Sequence, residues 1–161
     1  MYSAQLLDRF YHPRWVGNVA APDAPGSVPD AMAGVPGSVP GGRAWASATE
    51  GNPTCGDVVQ IDIEVAGGMI AVARFRTLGC AVAIAASDAL CDLATGQTVT
   101  AAQFLHVDEV IAALGGIPPR RESCASAPMA ALRSALFSLS AGRGGGRRTT
   151  REPAATPPGG R

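Results

Sequence analysis

Three of the four cysteines in this chain stand where they could share one metal ion. Cys55 lies just before Asp57, and Cys80 and Cys124 follow further along the chain. Each of these cysteines stands at the predicted end of a helix or strand, and such ends converge readily on one side of a small α+β domain. Because three thiolates and one carboxylate complete a tetrahedral site for zinc or iron, these four residues are the candidate ligands.

The remaining cysteine favours the alternative interpretation, in which a free cysteine is a small buried apolar residue. Cys91 lies inside an alanine-rich stretch with no flanking glycine or charge pattern, so we place it outside the site. By contrast, Gly56 and Gly79 stand directly beside two of the candidate ligands. Glycine permits a close backbone approach and backbone angles that other residues avoid, as ligand-bearing loops often require.

A β-hairpin is predicted over residues 57–77, between the first two candidate cysteines. Apolar and acidic residues alternate over 61–65, two glycines follow, and a second run continues to Phe75. In the second strand we expect Phe75 on the buried face. Ile70 is expected on the other face, which it shares with Arg74, and this arginine is expected to stay in solvent.

Helical spacing of apolar residues predicts most of the other elements. Ser3 is the expected N-cap of a short amphipathic N-terminal helix, and an alanine-rich, nearly uncharged stretch predicts a helix buried on most of its surface. We expect Cys124 to stand at the start of the last helix. The predicted helices cover residues 3–11, 81–93, 100–104, 108–114 and 124–139, and a short strand is expected around residues 43–48.

Glycine and proline are concentrated in two segments, residues 22–42 and 141–161. In the first, the sequence Pro-Gly-Ser-Val-Pro occurs twice, and the second is rich in arginine and poor in apolar residues. Such compositions cannot bury a core. We therefore predict one domain over residues 1–140 that carries a flexible insertion at 22–42 near the site, followed by a disordered basic tail at 141–161.

Charge and hydropathy exclude several classes of function. The chain carries 13 basic and 13 acidic residues, and it has neither a basic face with aromatic residues nor a nucleic-acid-binding motif, so we expect no nucleic-acid partner. No apolar stretch is long enough to span a membrane, and residues 1–9 reach a charge before any apolar run forms. We therefore expect a cytoplasmic protein without a membrane contact, in which cysteines bind metals or react more often than they form disulfides.

Four segments around these residues resemble the U-type iron–sulfur cluster assembly scaffold proteins. The resemblance covers residues 3–20 and 50–140, and it is specific because three cysteines and one aspartate occur in order, each in a matching context. The matching segments are Tyr-His-Pro-Arg-Trp-Val-Gly at 11–17, Asn-Pro-Thr-Cys-Gly-Asp at 52–57, Arg-Phe-Arg-Thr-Leu-Gly-Cys-Ala-Val-Ala-Ile-Ala at 74–85 and Pro-Pro-Arg-Arg at 118–121.

The resemblance implies an α+β fold in which a three-stranded antiparallel sheet packs against a layer of helices, with the cysteine site at one end. It also implies a scaffold rather than an enzyme, on which iron and the sulfur from a cysteine desulfurase form a transient 2Fe-2S or 4Fe-4S cluster for recipient apo-proteins. Cys55, Cys80 and Cys124 would be cluster ligands, and Asp57 the carboxylate ligand that keeps the site labile. Cys124 would also accept the sulfur, helped by the cationic pair in segment 118–121 and a helix start, which both favour a thiolate.

One departure from the family pattern keeps a second function open. Many members have a histidine directly before the last cysteine, where this chain has Ser123. In this respect the chain resembles the sulfur-accepting branch of the family, in which zinc held at rest by the same four residues would release Cys124 to accept sulfur. The short stretch between Cys80 and Cys124 and the absence of that branch's extra insertion argue against it. A purely structural zinc domain is a third interpretation, but the chain lacks Cys-x-x-Cys pairs.

Two other departures concern a partner and the pocket. Residues 117–121 only approximate the Leu-Pro-Pro-Val-Lys segment that a dedicated Hsp70 chaperone recognises in one branch, so chaperone-assisted transfer stays open beside a plain solvated loop. Ala81 and Val82 replace a more usual Gly-Ser, which indicates a tighter or drier pocket. His12 and His106 have no ligand-like spacing, and we expect neither to bind metal.

Overall fold

The computed structural model describes residues 1–19 and 43–141, so the predicted insertion and all but the first residue of the predicted tail lie outside the described residues. In chain order the elements are α1 (Ala4–Tyr11), β1 (Arg43–Gly51), β2 (Val58–Ala66), β3 (Met69–Leu78), α2 (Ala81–Ala94), α3 (Val99–Gln103), α4 (Val107–Ala113), a 3₁₀ helix (Pro119–Ala125) and α5 (Ser126–Ser140). The strands form one antiparallel sheet in the order β1-β2-β3, which confirms the predicted α+β class.

The register of the sheet brings two of the candidate cysteines to the same end. Gly51 pairs with Val58, and Val58 pairs with Leu78. The loop that joins β1 to β2 therefore lies beside the residue at which β3 ends. Because Cys55 belongs to this loop and Cys80 follows β3 directly, the predicted hairpin delivers both thiols to one edge of the domain.

A register shift in the hairpin changes which residues of β3 are buried. The pairing of β2 with β3 shifts between Glu64 and Val65, and Ala71 is left without a partner. Such an extra residue reverses the alternation of side chains along the strand. Ile70 and Phe75 are consequently both buried, at 0% and 1% exposure, so the prediction that they face opposite sides is wrong.

Two helices cover one face of the sheet. α2 packs mainly on β3, and α5 packs on β1 and β2. Inward-facing strand residues meet apolar residues of both helices in one continuous core, where each fully buried large side chain contributes about 1.5–3 kcal/mol. The fully buried large side chains of this core include Ile61, Ile63, Phe75, Leu90, Leu132 and Leu136.

The predicted burial of the alanine-rich helix is confirmed. Ten of the residues of α2 are buried, including the polar pair Ser87 and Asp88. Ser87 Oγ donates to the carbonyl oxygen of Ala83 at 2.7 Å, which satisfies this hydroxyl inside the helix. Although α2 is apolar, none of the helices in the described part of the chain has both the length and the apolar composition to cross a membrane.

A buried carboxylate on α2 holds the N-terminal segment in place. Asp88 accepts hydrogen bonds from Arg9 Nη1 at 2.7 Å and from the backbone N–H groups of Arg14 and Trp15 at 2.7 and 2.9 Å. One turn later, Asp92 accepts from Arg9 Nη2 at 2.8 Å and from Trp15 Nε1 at 3.2 Å. A buried charge is strongly destabilising without such partners, so this network fixes α1 and the residues after it against α2.

The N-terminal segment also extends the sheet. The Phe75 N–H donates to Trp15 O at 3.0 Å, and the Gly17 N–H donates to Phe75 O at 2.9 Å, so this segment covers part of the outer edge of β3. At the start of α1, Ser3 Oγ accepts from the Leu6 N–H at 3.1 Å, which confirms the predicted N-cap.

The residues on either side of the predicted insertion lie away from the cysteine end of the sheet. Val19 N–H donates to Asp62 Oδ2 in the middle of β2 at 3.3 Å, and Arg43 pairs with Ala66 at its far end. At about 3.3 Å per residue, Ala66 lies about 26 Å along the strand from Val58. The described residues that flank the insertion therefore lie away from the predicted site, and the insertion itself lies outside the described residues.

Candidate metal centre

A tight loop between β1 and β2 presents Cys55. The Asn52 N–H donates to Asp57 O at 2.8 Å, and the Gly56 N–H donates to Asn52 O at 2.8 Å, so the loop is closed by its own backbone. Gly56 has a φ of 73°, in the left-handed region that favours glycine. The loop therefore turns immediately after Cys55 and places Asp57 at the entrance to β2.

Asp57 joins the two cysteines of the hairpin. Its side chain is buried, with 3% of the residue exposed, and its Oδ2 accepts a hydrogen bond from the Cys55 thiol at 2.7 Å. Oδ1 accepts from the Cys80 N–H at 2.9 Å, and Cys80 Sγ lies 3.5 Å from Oδ2. A Cβ atom on Gly79 would lie 2.6 Å from Oδ1, so the glycine before Cys80 leaves the space that this carboxylate occupies.

Cys124 reaches the site from the 3₁₀ helix rather than from the start of an α-helix. The segment Pro119–Ala125 is 3₁₀, and α5 begins only at Ser126, so the prediction that Cys124 begins the last helix is wrong. Cys124 is 2% exposed, and its Sγ lies 3.7 Å from Cys55 Sγ. All four predicted ligands thus lie at one end of the domain.

The spacing of the donor atoms fits a tetrahedral ion. The ligand atoms of Cys55, Asp57 and Cys124 lie within 4.8 Å of one another, and Cys80 Sγ is in contact with the same carboxylate. Zinc bound tetrahedrally at about 2.3 Å holds two sulfurs about 3.8 Å apart, close to the 3.7 Å between Cys55 and Cys124. These residues could therefore hold zinc or iron through three sulfurs and one oxygen.

Hydrogen bonds to the site favour an ionised carboxylate. Burial of Asp57 opposes its ionisation, but hydrogen bonds from the Cys55 thiol, the Cys80 N–H and the Cys80 and Cys124 thiols outweigh burial. The pKa of Asp57 consequently lies below its ordinary value. At neutral pH the site offers a carboxylate surrounded by thiols, whose protons a metal ion would replace.

Burial affects the ionisation of Cys124 as well as its accessibility. Burial, followed by contacts with the thiols of Cys80 and Cys55, raises the pKa of Cys124 to about 12. Arg121 is exposed beside the site, and the pKa of its guanidinium is raised by Tyr2 first and then by Cys80 and Cys124. The sequence predicts that nearby cations and a helix start favour the Cys124 thiolate, whereas burial of Cys124 acts in the opposite direction.

Comparison with known proteins identifies the family of the chain. The family model described as the NifU-like N terminal domain matches residues 1–143. The chain belongs to this family. It is 35% identical over 136 residues to the iron-sulfur cluster assembly scaffold protein IscU 1 of Archaeoglobus fulgidus, a match that covers 84% of this chain and 74% of that protein.

One other relative and one solved structure show how widely the similarity to this NifU-like domain extends. The nitrogen fixation protein NifU of Cereibacter sphaeroides is 32% identical over 134 residues, which cover 83% of this chain and 46% of that protein. A crystal structure of a putative iron-sulfur cluster assembly scaffold protein for the SUF system from Fervidobacterium islandicum has the same fold, with a TM-score of 0.59 at 18% identity over 84% of this chain and 96% of that one. The predicted family resemblance is confirmed.

The three thiols of the NifU-like site differ in accessibility. Cys55 is exposed, Cys80 is half-buried, and Cys124, the predicted sulfur acceptor, is buried. Near Cys55 and Cys80 in the sequence, two apolar residues are exposed at the same end of the sheet, Val58 at 43% and Leu78 at 80%. The accessible thiol and two exposed apolar side chains thus lie at the same end of the sheet.

The residues that the sequence placed outside the site lie elsewhere. His12 contacts Asp8 on α1 at 3.4 Å, and the backbone N–H of His106 donates to Glu109 Oε1 at 2.9 Å at the start of α4. Cys91 is buried within α2, and burial raises the pKa of its thiol. Among the described residues, the candidate ligands at the cysteine end thus remain the three cysteines and Asp57.

One residue of the matching segments has a contact at the site that the sequence did not predict. Asn52 is 4% exposed and donates from Nδ2 to the carbonyl oxygen of Ser123 at 2.7 Å. The signal that could have drawn attention to it is its type and position, since an asparagine before a proline favours a turn. Nothing local in the sequence, however, connects Asn52 with Ser123.

Proposed function

We propose that this chain is a scaffold on which iron–sulfur clusters are assembled and from which they pass to recipient apo-proteins. The observation that carries the proposal is the convergence of Cys55, Asp57, Cys80 and Cys124 at one end of a NifU-like domain. Relatives that share about a third of their sequence are named iron-sulfur cluster assembly scaffold proteins, which supports the same function here. The chain would act as a carrier and not as an enzyme.

The proposed ligands suit cargo that must be bound and then released. Thiolates of Cys55, Cys80 and Cys124 are the soft ligands that iron–sulfur clusters take, and Asp57 supplies a hard oxygen ligand that exchanges more readily. The hydrogen bonds that lower the pKa of Asp57 keep this oxygen available at neutral pH. A 2Fe-2S or a 4Fe-4S cluster would be held transiently by such a set.

Sulfur would arrive from a cysteine desulfurase through Cys124. The Cys124 thiol gives up its proton as the desulfurase docks, and its sulfur attacks the outer sulfur of the desulfurase persulfide. A new S–S bond forms on Cys124 while the S–S bond of the desulfurase breaks, and the desulfurase cysteine leaves as a thiolate that takes up the proton. Reduction of this sulfur to sulfide then takes two electrons from a dithiol or an electron-transfer protein. Because Cys124 is buried, the docked desulfurase must open the 3₁₀ helix or enter past the exposed Cys55.

The surface around the site offers a place for these partners. Val58 and Leu78 are exposed beside the cysteines, and Arg121 adds a cation at the same end. An Hsp70-type chaperone that bound residues 117–121 in extended form would have to open the start of the 3₁₀ helix, because residues 119–121 belong to it. It would also have to remove Ile117 from the core, where this side chain is 8% exposed. Such opening would act directly on the segment that carries Cys124.

Anaerobic reconstitution tests the proposed function. The chain is incubated with ferrous iron, cysteine, a cysteine desulfurase and a dithiol, and sulfur-to-iron charge-transfer absorption is followed. We expect the absorption to develop on the wild-type chain and on Cys91→Ala, whose thiol lies inside α2, but not on Cys55→Ala. A colourless wild-type chain, or equal absorption from Cys55→Ala, would contradict the proposal.

The donor set also supports a second candidate, a zinc-holding sulfur acceptor. Three thiols and one carboxylate without histidine are sufficient ligands for zinc, and Ser123 stands where many family members have histidine. In this alternative, zinc at rest occupies the four residues and the docked desulfurase frees Cys124. Stoichiometric zinc without acid-labile sulfide, together with stimulation of desulfurase turnover by the colourless chain, would favour this candidate over the scaffold.

A further inference from the structure

Asn52 is a buried polar residue that belongs to neither the donor set nor the core. Only 4% of the residue is exposed, and its backbone and both polar atoms of its side chain form hydrogen bonds. Its backbone closes the loop that bears Cys55, and its Oδ1 accepts from the Thr54 N–H at 2.9 Å. The remaining group, Nδ2, leaves the loop and donates to Ser123 O at 2.7 Å.

This last hydrogen bond connects two segments that each carry a candidate ligand. Cys55 belongs to the loop that Asn52 begins, and Cys124 directly follows Ser123. Neither segment is part of an α-helix or a strand: the loop residues from Pro53 to Gly56 are exposed, and the other segment is a single 3₁₀ stretch. The 3.7 Å spacing of the two sulfurs therefore depends on contacts between irregular segments.

We infer that Asn52 is a positioning residue that sets the spacing of Cys55 and Cys124 and thereby strengthens binding of a thiophilic metal ion or cluster. A link of this kind restricts the two thiols before the ligand arrives, so less conformational freedom is lost on binding. The inference rests on the proposed metal-binding function, but it assigns to Asn52 a role that neither the ligands nor the fold supplies.

Two substitutions remove the link in different ways. Asn52→Ala deletes both side-chain hydrogen bonds. Asn52→Asp has nearly the same size and still accepts from the Thr54 N–H, but it cannot donate to the Ser123 carbonyl. The matched control is Ser126→Ala, because Ser126 Oγ donates to the same carbonyl oxygen at 2.6 Å without touching the Cys55 loop.

The test measures Co²⁺ binding by competition with a chelator and the intensity of the thiolate-to-cobalt charge-transfer band. Loss of an outer contact to a metal ligand weakens binding about 10- to 100-fold, and we expect this for both Asn52 variants, with a weaker band. Ser126→Ala should stay within about twofold of the wild-type chain. Circular dichroism at the same temperature records whether each variant is folded.

A second readout needs no metal. In a Cys80→Ala, Cys91→Ala background, the equilibrium between Cys55, Cys124 and a glutathione redox buffer measures how closely the two thiols are held together. We expect the equilibrium constant for the Cys55–Cys124 disulfide to be about tenfold lower in both Asn52 variants than in the background chain or in Ser126→Ala. The reason is the same as for the metal, because the two thiols are no longer held close together.

Each outcome decides the inference. Folded Asn52 variants that match Ser126→Ala in both readouts overturn the inference. Asn52 variants that fail to fold while Ser126→Ala folds also overturn it, because the role of Asn52 would then be to stabilise the fold. A wild-type chain that takes up no Co²⁺ overturns both the inference and the proposed function. If Co²⁺ binding follows the expectation but no cluster forms on reconstitution, the proposed function fails while the role of Asn52 stands.

Discussion

The carboxylate of Asp57 fills the space that a side chain on Gly79 would need, at the cysteine end of the sheet. A Cβ atom on residue 79 would lie 2.6 Å from Asp57 Oδ1 and 2.8 Å from its Cγ. Asp57 Oδ1 also accepts the Cys80 N–H, so the glycine permits the hydrogen bond that joins the end of β3 to the start of β2. The absence of a side chain at residue 79 thus determines where the carboxylate of the site lies.

Substitution of Gly79 should therefore disturb the site as well as the fold. In Gly79→Ala the methyl group displaces the Asp57 carboxylate, and we expect a loss of stability of about 1–3 kcal/mol and Co²⁺ binding weakened about tenfold. Gly51→Ala is the matched control, because its Cβ would meet Asp57 O at an ordinary 3.7 Å. Denaturant unfolding and Co²⁺ titration of the two variants make the comparison, and equal behaviour would contradict this role of Gly79.

Removal of the Asp57 carboxylate should make the bound cluster less labile. Without the exchangeable oxygen ligand, Asp57→Ala retains three thiolates, and we expect its cluster to pass to a chelator or an apo-ferredoxin about tenfold more slowly. The decay of the charge-transfer absorption after reconstitution measures this rate. Asp108→Ala, at an exposed acidic residue of α4, should release its cluster at the wild-type rate. Faster release from Asp57→Ala would show that the carboxylate retains the cluster instead.

The Arg9–Asp92 contact predicts a stability term that depends on pH. Burial opposes ionisation of Asp92, but hydrogen bonds from Arg9 and Trp15 and the charge of Arg14 outweigh it, so its pKa lies below the ordinary value. The stabilisation by ionised Asp92 is present above about pH 4, the pKa of an aspartate in the unfolded chain. It is lost as the pH falls through the lower pKa that Asp92 has in the folded chain. At neutral pH, Asp92→Asn should be less stable by about 1 kcal/mol, since the carboxylate is partly in solvent.

Urea unfolding of the wild-type chain and Asp92→Asn between pH 3 and 7 gives the result. The difference between the free energies of unfolding of the wild-type chain and Asp92→Asn should shrink toward acid pH. Asp8→Asn serves as the control, because Asp8 contacts only the exposed His12 on the same helix and its loss should change little. A difference that stays constant over this pH range would mean that the ionised carboxylate is not what stabilises the N-terminal segment.

Leu78 should contribute to docking of the desulfurase. It is 80% exposed at the end of β3 and lies two residues before Cys80, so Leu78→Ala removes apolar surface beside the site without leaving a core cavity. We expect about tenfold weaker binding to a cysteine desulfurase, with unchanged unfolding. Phe104→Ala is the control, since Phe104 is 70% exposed on the α3 side, outside the cysteine end. Equal loss in both variants, or none in either, would place the docking surface elsewhere.

The elements of the fold could be predicted because their signals are local. Alternation over Ile61 and Ile63, the paired glycines of the turn and the alanine-rich run of α2 each specify an element within a few residues. The register shift at Ala71 could not be predicted, because it depends on how β3 packs against α2 and pairs with β2. That shift is the reason Ile70 was assigned to the wrong face.

The site could be predicted as a set of residues but not as an arrangement. The sequence contexts of Cys55, Cys80 and Cys124 indicated a family, and the structure places these residues together. The link from Asn52 to Ser123 joins positions 71 residues apart, and the burial of Cys124 depends on packing around the 3₁₀ helix. Such contacts have no local signature, so neither the contact between Asn52 and Ser123 nor the burial of Cys124 could be predicted.

Iron and acid-labile sulfide, measured per chain after anaerobic assembly and desalting, test the central claim most directly. If Cys55, Asp57, Cys80 and Cys124 hold a cluster, the wild-type chain retains iron and sulfide in equal amounts, and Cys55→Ala retains neither. Cys91→Ala should match the wild-type chain. A wild-type chain that keeps zinc or iron but no sulfide would contradict the account of this chain as a cluster scaffold.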